Sequence, residues 1–137
     1  MLRGLTTVRF HAEDLSAAKQ WYTELLGIEP YFERPGYAEF RIGDYQHELG
    51  LLDSAYAPTL GARGDSPSAP SGAVVYWHVD DVRATLDRLL LLGATTSEPV
   101  REFGEGFVGA SVVDPFGNIL GIMENRHYLE ILSGHGS

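Results

Sequence analysis

The sequence predicts an α+β fold because one order of structural elements occurs twice along its 137 residues. Each half opens with a strand-like run in which an aromatic residue precedes a histidine, and an aspartate follows three residues after that histidine. A helical pattern comes next and ends at a glycine, and alternating apolar segments separated by turns complete the half. We therefore expect two tandem βαβββ modules within one domain.

The opening strands are indicated by β-branched and aromatic residues at 6–11 and at 73–78. Asp14 and Asp81 follow these strands. At such a position a carboxylate accepts a hydrogen bond from the free amides of a helix's first turn and favours its positive end. Both helices should therefore begin directly after these aspartates.

Each predicted helix carries one apolar stripe with a period of about 3.6 residues, as in a helix that packs on a sheet. Gly27 and Gly93 lie where the left-handed residue that ends many helices is favoured. The stripes consist of Leu15, Ala18, Tyr22, Leu25 and Leu26 in the first helix, and of Val82, Leu86, Leu89 and Leu90 in the second.

Strand and turn signals fill the rest of each module, because alternating apolar runs are separated by glycine, proline and aspartate. The predicted strands are 37–42 and 45–52 in the first module, and 99–103, 107–113 and 119–125 in the second, with turns at 43–44, 104–106 and 114–118.

The domain organisation follows from composition. We expect a single domain with module one at about 5–53, a linker at about 54–72, module two at about 73–125 and a C-terminal tail at 126–137. The linker is rich in proline, serine, glycine and alanine, which fits either a flexible connection or a lid. In the tail, residues 127–129 could form a short packed element, and residues 133–137 are expected to fray.

Composition and charge exclude several classes of protein. The chain has no cysteine, which rules out disulfides, thiolate nucleophiles and cysteine-based zinc sites. It shows no apolar run of signal-peptide or membrane-span length, so we expect a cytoplasmic protein without a membrane partner. A net charge of −9 argues against nucleic acid and leaves open either a cationic ligand or an ordinary solubilising surface.

Strand alternation predicts a polar sheet face opposite the helices. The alternating residues of the opening and later strands place Arg, His, Tyr and Glu side chains on this face, which is the composition of a ligand pocket. A half-solvated sheet face is the alternative interpretation. The residues assigned to the pocket are Thr7, Arg9, His11, Glu48, Val74, Tyr76, His78, Gly121 and Met123.

The tandem βαβββ order, the two strand–aspartate–helix openings and the closing turn 114–118 together resemble the vicinal oxygen chelate superfamily. This superfamily includes glyoxalase I, extradiol dioxygenases and the fosfomycin- and bleomycin-resistance proteins. The resemblance covers about residues 5–125. It implies a glyoxalase/bleomycin-resistance-like fold, in which the modules form a curved mixed sheet around a cleft for a small molecule. It also implies a homodimer.

The resemblance implies four metal-ligand positions, which fall on Thr7, Glu48, Val74 and Gly121. Valine and glycine side chains have no lone pair to donate, and a catalytic metal normally keeps about three protein ligands. Arg9 would add an unfavourable positive charge beside them. We therefore predict that the family's metal site is absent and that no cofactor is bound.

An alternative metal site would use His11, Glu48 and His78 as a displaced two-histidine, one-carboxylate set for a divalent metal. The competing interpretation is that each histidine lies at a strand end and satisfies loop backbone near its aspartate cap. The sequence favours the second interpretation.

The predicted function is small-molecule binding of the glyoxalase/bleomycin-resistance type, either sequestering or modifying a toxic or antibiotic-like compound. If the protein is an enzyme, His78 or Glu48 is the candidate general base, and Arg9 is the candidate group that holds an oxyanion. One alternative is a metal-dependent glyoxalase-like lyase, isomerase or dioxygenase. The other is a subunit without a ligand, in which Leu91 and Leu92 form a contact surface.

Overall fold

The computed structural model describes Met1 and residues 3–56 and 74–135. The chain divides into two compact units, Met1–Ala73 and Val74–Ser137. Most of the predicted linker, residues 57–72, lies outside the described residues. No described helix combines the length and the apolar character that crossing a bilayer requires.

The predicted α+β fold of two βαβββ modules is confirmed, since each unit contains one four-stranded mixed sheet. The first unit contains β1 (Thr7–Ala12), α1 (Leu15–Leu26), β2 (Phe32–Arg34), β3 (Tyr37–Ile42), β4 (His47–Asp53) and a short 3₁₀ turn (Ser54–Tyr56). The second contains β5 (Tyr76–His78), α2 (Val82–Leu91), β6 (Thr95–Gly104), β7 (Phe107–Val113), β8 (Ile119–Asn125) and α3 (Arg126–His135).

Both sheets have the same topology. Their strand orders are β1-β4-β3-β2 and β5-β8-β7-β6, and in each the opening strand pairs in parallel with the last strand. The other pairs are antiparallel. The order of strand and helix patterns that occurs twice in the sequence therefore corresponds to a strand order that occurs twice in the structure.

The helix boundaries follow the predicted caps at three of four ends. Asp14 accepts the amide of Ala17 and Asp81 accepts the amide of Ala84, each at 3.0 Å. Gly27 ends α1 in the left-handed conformation with φ +72°. At the end of α2 the C-cap is instead Leu92 in a right-handed conformation, and the glycine predicted there follows one residue later.

The core lies between each helix and one face of its sheet. In the second unit, Leu120 and Ile122 are buried whereas Ile119 is exposed, which fixes the orientation of β8 that alternation alone left open. The buried apolar residues are Phe10, Ala12, Ala18, Tyr22, Ala38, Phe40, Leu49 and Leu51 in the first unit, and Val82, Leu89, Ala94, Ala110, Val112, Leu120 and Ile122 in the second.

The C-terminal tail differs from the expectation. Residues 126–135 form the helix α3, so Ser133 and Gly134, which were expected to fray, are helical. Asn125 accepts the amide of Tyr128 at 3.0 Å, and the Tyr128 ring stacks on His78 with centroids 4.8 Å apart. These two contacts fix the first turn of α3 to the second sheet, from which the helix continues.

Candidate functional site

The first sheet has a polar face on the side away from α1. Residues that lie opposite one another across the strands form three rows on this face, because alternate residues of a strand point to the same side. The rows are Thr7–Glu48–Arg41, then Arg9–Gly50–Glu39–Phe32, then His11–Leu52–Tyr37–Arg34. We call these eleven residues the polar face of the first sheet.

Thr7 and Glu48 lie directly opposite each other on β1 and β4. The Thr7 hydroxyl donates to Glu48 Oε1 at 2.6 Å, a short hydrogen bond to a carboxylate. The sequence placed both residues in the pocket, and the parallel pairing of β1 with β4 brings them together. The Glu48 carboxylate therefore already has a neutral donor.

The Tyr37 side chain extends from the third row to the middle row. Its hydroxyl donates to Glu39 Oε1 at 2.7 Å, and its ring lies against Gly50, where a Cβ atom would collide with the hydroxyl. Burial raises the pKa of Tyr37, and so do the hydrogen bond to Glu39 and the negative charges of Glu39 and Glu48, while Arg9 acts in the opposite direction. Tyr37 is therefore a neutral donor at physiological pH and not a phenolate base.

Tyr37→Phe is expected to flatten the alkaline side of the stability profile. A tyrosine whose pKa is raised on folding from its model value of 10.0 binds its proton more tightly in the folded state. The stability that this provides is fully present below pH 10 and is lost as the pH rises through the folded pKa. Melting temperatures at pH 8, 10 and 11 for both proteins measure the difference, and an unchanged slope would contradict the assignment.

An open cavity of about 460 Å³ lies on the polar face of the first sheet and is lined by Thr7, Arg9, Arg34 and Tyr37. Arg9 and Arg34 are exposed, and within residues 3–56 and 74–135 neither guanidinium forms an ion pair or a hydrogen bond. The guanidinium of Arg34 lies over the Phe32 ring at 5.8 Å. The cavity therefore presents two guanidinium groups that the described protein does not neutralise.

The second sheet has its own hydrogen-bonded cluster around Tyr76. The Tyr76 hydroxyl donates to Glu98 Oε1 at 3.1 Å, and the hydroxyl of the fully buried Ser111 donates to the same oxygen at 3.2 Å. Burial raises the pKa of Tyr76, as do the hydrogen bond to Glu98 and its charge. The Tyr76 ring covers Gly121, where a Cβ atom would lie 2.7 Å from the ring.

Gly50 and Gly121 hold equivalent positions in the two sheets. Gly50 lies opposite Arg9 and Gly121 lies opposite Tyr76, and both partners stand five residues before the N-cap of the following helix. A tyrosine ring covers each glycine. The absence of a side chain on the last strand thus makes room for a tyrosine in both modules.

His78 is part of the packing at the end of β5. Its Nδ1 accepts the amide of Asn125 at 3.2 Å, which places the proton of the neutral ring on Nε2, 3.7 Å from Asp80 Oδ1. The ring also stacks on Tyr128, and His78 lies opposite Met123 in the strand register. His78 therefore connects β5 to the junction of β8 and α3.

The other predicted pocket residues divide between the units. His11 is half-buried on β1 opposite Leu52, and Val74 is half-buried just before β5. The first unit thus brings Thr7, Arg9 and Glu48 into one surface. The second brings Tyr76 against Gly121.

The donor set does not fit a catalytic transition metal. Of the four implied positions, Val74 and Gly121 have no donor atom, and Thr7 and Glu48 are hydrogen-bonded to each other. Across residues 3–56 and 74–135, no three His, Cys, Asp or Glu side chains converge in a way that could hold an ion. One carboxylate and one hydroxyl fall short of the three protein ligands that such a metal requires.

Several residues of the polar clusters on the two sheets were not predicted from the sequence. The alternation of β3 was used to assign its apolar side to the core, and the same alternation places Tyr37 and Glu39 on the opposite side. Arg34 belongs to the three-residue strand β2, whose pattern is too short to recognise. Glu98 and Ser111 are joined to Tyr76 only by strand pairing, for which the sequence carries no direct signal.

The sequence model of the Glyoxalase/Bleomycin resistance protein/Dioxygenase superfamily matches residues 4–122. The chain is 30% identical over 125 residues to "Putative glyoxylase CFP32" of Mycobacterium bovis and to the protein of the same name in Mycobacterium tuberculosis. The match covers 88% of this chain and 45% of each relative, so the chain spans less than half the length of these proteins.

Solved structures share the fold. A lactoylglutathione lyase from Agrobacterium tumefaciens has a TM-score of 0.65 at 23% identity, with 91% of this chain and 96% of that chain covered. A glyoxalase-related enzyme from Fulvimarina pelagi has a TM-score of 0.67 at 22% identity, with 89% and 88% covered. At these identities the likeness establishes the architecture.

Proposed function

Because the chain belongs to the Glyoxalase/Bleomycin resistance protein/Dioxygenase superfamily, we propose that it binds a small molecule on the polar face of its first sheet without the family's metal. The observation that carries the proposal is the open cavity of about 460 Å³. Cavities of this size suit small organic ligands when a few polar groups orient them. Thr7, Arg9, Arg34 and Tyr37 supply such groups.

The absence of the metal is the second part of the proposal. It is supported by the chemistry of the residues at the family's ligand positions, where valine and glycine offer no donor atoms. The Thr7 hydroxyl, at 2.6 Å from Glu48, provides the contact that a cation would otherwise make. Binding then relies on hydrogen bonds and charges of the protein alone.

We propose sequestration of a toxic or antibiotic-like compound as the simpler role, and modification of that compound as the extended one. For modification, Glu48 is the better proton acceptor because, within the described residues, only its Oε1 accepts a side-chain hydrogen bond, from Thr7. Glu48 also lies in the row next to Arg9 on the same face. His78 is less suited, since its Nδ1 already accepts the Asn125 amide. Arg9 would then stabilise an oxyanion.

The test is a thermal-shift screen of antibiotics and metabolites on the metal-free protein. We expect at least one compound to raise the melting temperature, and the Thr7→Trp variant, which places a bulky ring at the wall of the cavity, to lose that shift. Thr96→Trp is the matched control, because Thr96 is also an exposed threonine on a strand but lies in the second unit.

A metal-dependent glyoxalase-like reaction is the alternative, and its support is the name of the relatives that are 30% identical. It predicts turnover of a glutathione hemithioacetal that requires added nickel or zinc, and a stoichiometric metal in protein purified without additions. Such turnover without any hit in the metal-free screen would overturn the proposed function.

The homodimer and the cytoplasmic location stay predictions. Leu91 is 88% exposed at the end of α2, which also suits the interaction-subunit alternative, whereas Leu92 is half-buried as the C-cap. Light scattering on wild type and on Leu91→Asp distinguishes a leucine-mediated dimer from a monomer.

A further inference from the structure

We propose that the ligand of the first sheet is an organic anion, a carboxylate or a phosphate monoester, whose charged group binds Arg9 and Arg34. This inference rests on the proposed function and names the chemical class of its ligand. It starts from the charged side chains of the polar face of the first sheet, which comprise three arginines and two glutamates. The charge of the ligand that the cavity can bind depends on which of these side chains already have partners.

Both carboxylates of the polar face already have hydrogen-bond donors. Thr7 donates to Glu48 at 2.6 Å and Tyr37 donates to Glu39 at 2.7 Å. These donors are neutral hydroxyls, so they satisfy oxygen lone pairs without using any of the positive charges. Both carboxylates keep their negative charge, but neither Glu39 nor Glu48 lines the cavity, whereas Arg9 and Arg34 do.

The guanidinium groups are in the opposite situation. Arg9 and Arg34 line the cavity, and neither makes an ion pair or a hydrogen bond with the described protein. A guanidinium presents several donors in a plane that matches the two oxygens of a carboxylate or a phosphate. Because no described acceptor bonds these exposed arginines, an anionic ligand can bind both without displacing a hydrogen bond of the protein.

Arg41 is an arginine that lies outside the cavity. It lies on the same face, but its guanidinium is stacked over the Tyr31 ring at 3.6 Å and does not line the cavity. Arg34 also lies over a ring, at the longer distance of 5.8 Å, so Arg41 differs from the cavity arginines mainly in its position. Arg41 is therefore the natural control for the two cavity arginines.

The ligand should also carry an apolar part, because aromatic rings flank the charged groups. Phe32 is 44% exposed beside Tyr37, with ring centroids 6.5 Å apart. The two arginines that line the cavity disfavour the cationic ligand that the net charge of −9 allows. Local charge decides the choice because charges further away than about 8–10 Å are largely screened at physiological ionic strength.

The experiment compares ligands of equal size and different charge on the full chain. Benzoate, phenyl phosphate, benzamide and benzylammonium are titrated by calorimetry into wild type, Arg9→Gln, Arg34→Gln, the double variant and Arg41→Gln. All three positions are exposed, so folding should be retained. We expect at least one of the two anions to bind in preference to the neutral and cationic compounds. We expect its affinity to fall roughly tenfold to a hundredfold in the double variant, and to stay unchanged in Arg41→Gln.

The outcomes separate this inference from the proposed function. If benzamide or benzylammonium binds as tightly as the anions, or if the double variant keeps full anion affinity, the ligand is not an anion held by these arginines, although binding at the cavity stands. A single variant that accounts for the whole loss assigns the anion to that arginine. If neither these compounds nor the wider screen yields any ligand, both proposals fail.

Discussion

Asp114→Ala is expected to lower the free energy of unfolding by about 3 kcal/mol, because it leaves several buried donors without an acceptor. Asp114 is 3% exposed, and its Oδ1 accepts the amides of Phe116 at 2.9 Å and of Asn118 at 2.8 Å. Its Oδ2 accepts the Asn118 side-chain amide at 3.1 Å. Denaturant unfolding with a common m-value measures the difference.

Two further variants separate the hydrogen bonds from a general effect of substitution. Asp114→Asn keeps one carbonyl oxygen for the two backbone amides but places an NH₂ group against the Asn118 amide, so its loss should be intermediate. Asp87→Ala, on the exposed side of α2, should change stability by no more than about 0.5 kcal/mol. Equal losses for Asp114→Ala and Asp87→Ala would show that the turn does not depend on the carboxylate.

Loss of the Asp114 carboxylate should also disturb the second sheet, because the 114–118 turn sets the pairing of β7 with β8. The Asp114 amide donates to the Asn118 carbonyl at 2.8 Å, directly before the paired positions Val113 and Ile119. From there the register places Gly121 opposite Ser111. A destabilised turn should therefore also loosen the contact between Tyr76 and Gly121.

The fold could be predicted from the sequence because the helix caps and turns that define it are formed by residues close together in the chain. Asp14, Asp81 and Gly27 mark helix ends through contacts within one turn, and the 114–118 turn is determined by residues at most four apart. Alternation along β1 separated Phe10, which is buried, from Arg9, which is exposed. Such patterns depend on neighbouring residues and can be recognised without knowledge of the tertiary structure.

The candidate site was only partly readable because its contacts are long-range. Thr7 and Glu48 were both assigned to the pocket, but their hydrogen bond spans 41 positions and depends on the register of β1 against β4. His78 was considered as a base or a ligand, yet its acceptor atom is occupied by a residue 47 positions away. Side-chain types identify candidates, and strand pairing decides which atoms remain available.

One strand also began later than its pattern suggested. The segment 45–52 was expected to be continuous, but Gln46 adopts φ +55° and its side-chain amide donates to the Gly43 carbonyl at 2.9 Å. The strand β4 therefore starts at His47. The side-chain amide bonds the turn backbone locally, which competes with strand pairing.

The double variant Val74→His/Gly121→Glu is expected not to bind zinc or nickel, although it places donor residues at two of the family's ligand positions. A Cβ atom at residue 121 would lie 2.7 Å from Tyr76 Cδ1 and 2.7 Å from the Val75 carbonyl oxygen. The tyrosine can rotate, but the carbonyl belongs to the backbone that pairs with β8, since the Gly121 amide donates to it at 3.1 Å. We therefore expect destabilisation by about 1–3 kcal/mol, as for an overpacked core position.

Gly4→Glu is the matched control for this variant, because it makes the same change of charge where nothing lies within 4 Å of the added Cβ atom. Thermal melting should separate the two proteins, and calorimetry with zinc and nickel should give no stoichiometric binding to either. If Val74→His/Gly121→Glu instead bound one metal ion at wild-type stability, the site would have lost only its donor atoms. The expected result would support the proposal that no metal is bound, with Tyr76, held by Glu98 at 3.1 Å, in the space that a side chain at residue 121 would need. A side chain that binds metal from residue 121 would then require the backbone around Val75 and Gly121 to move, which is a larger change than introducing donor side chains.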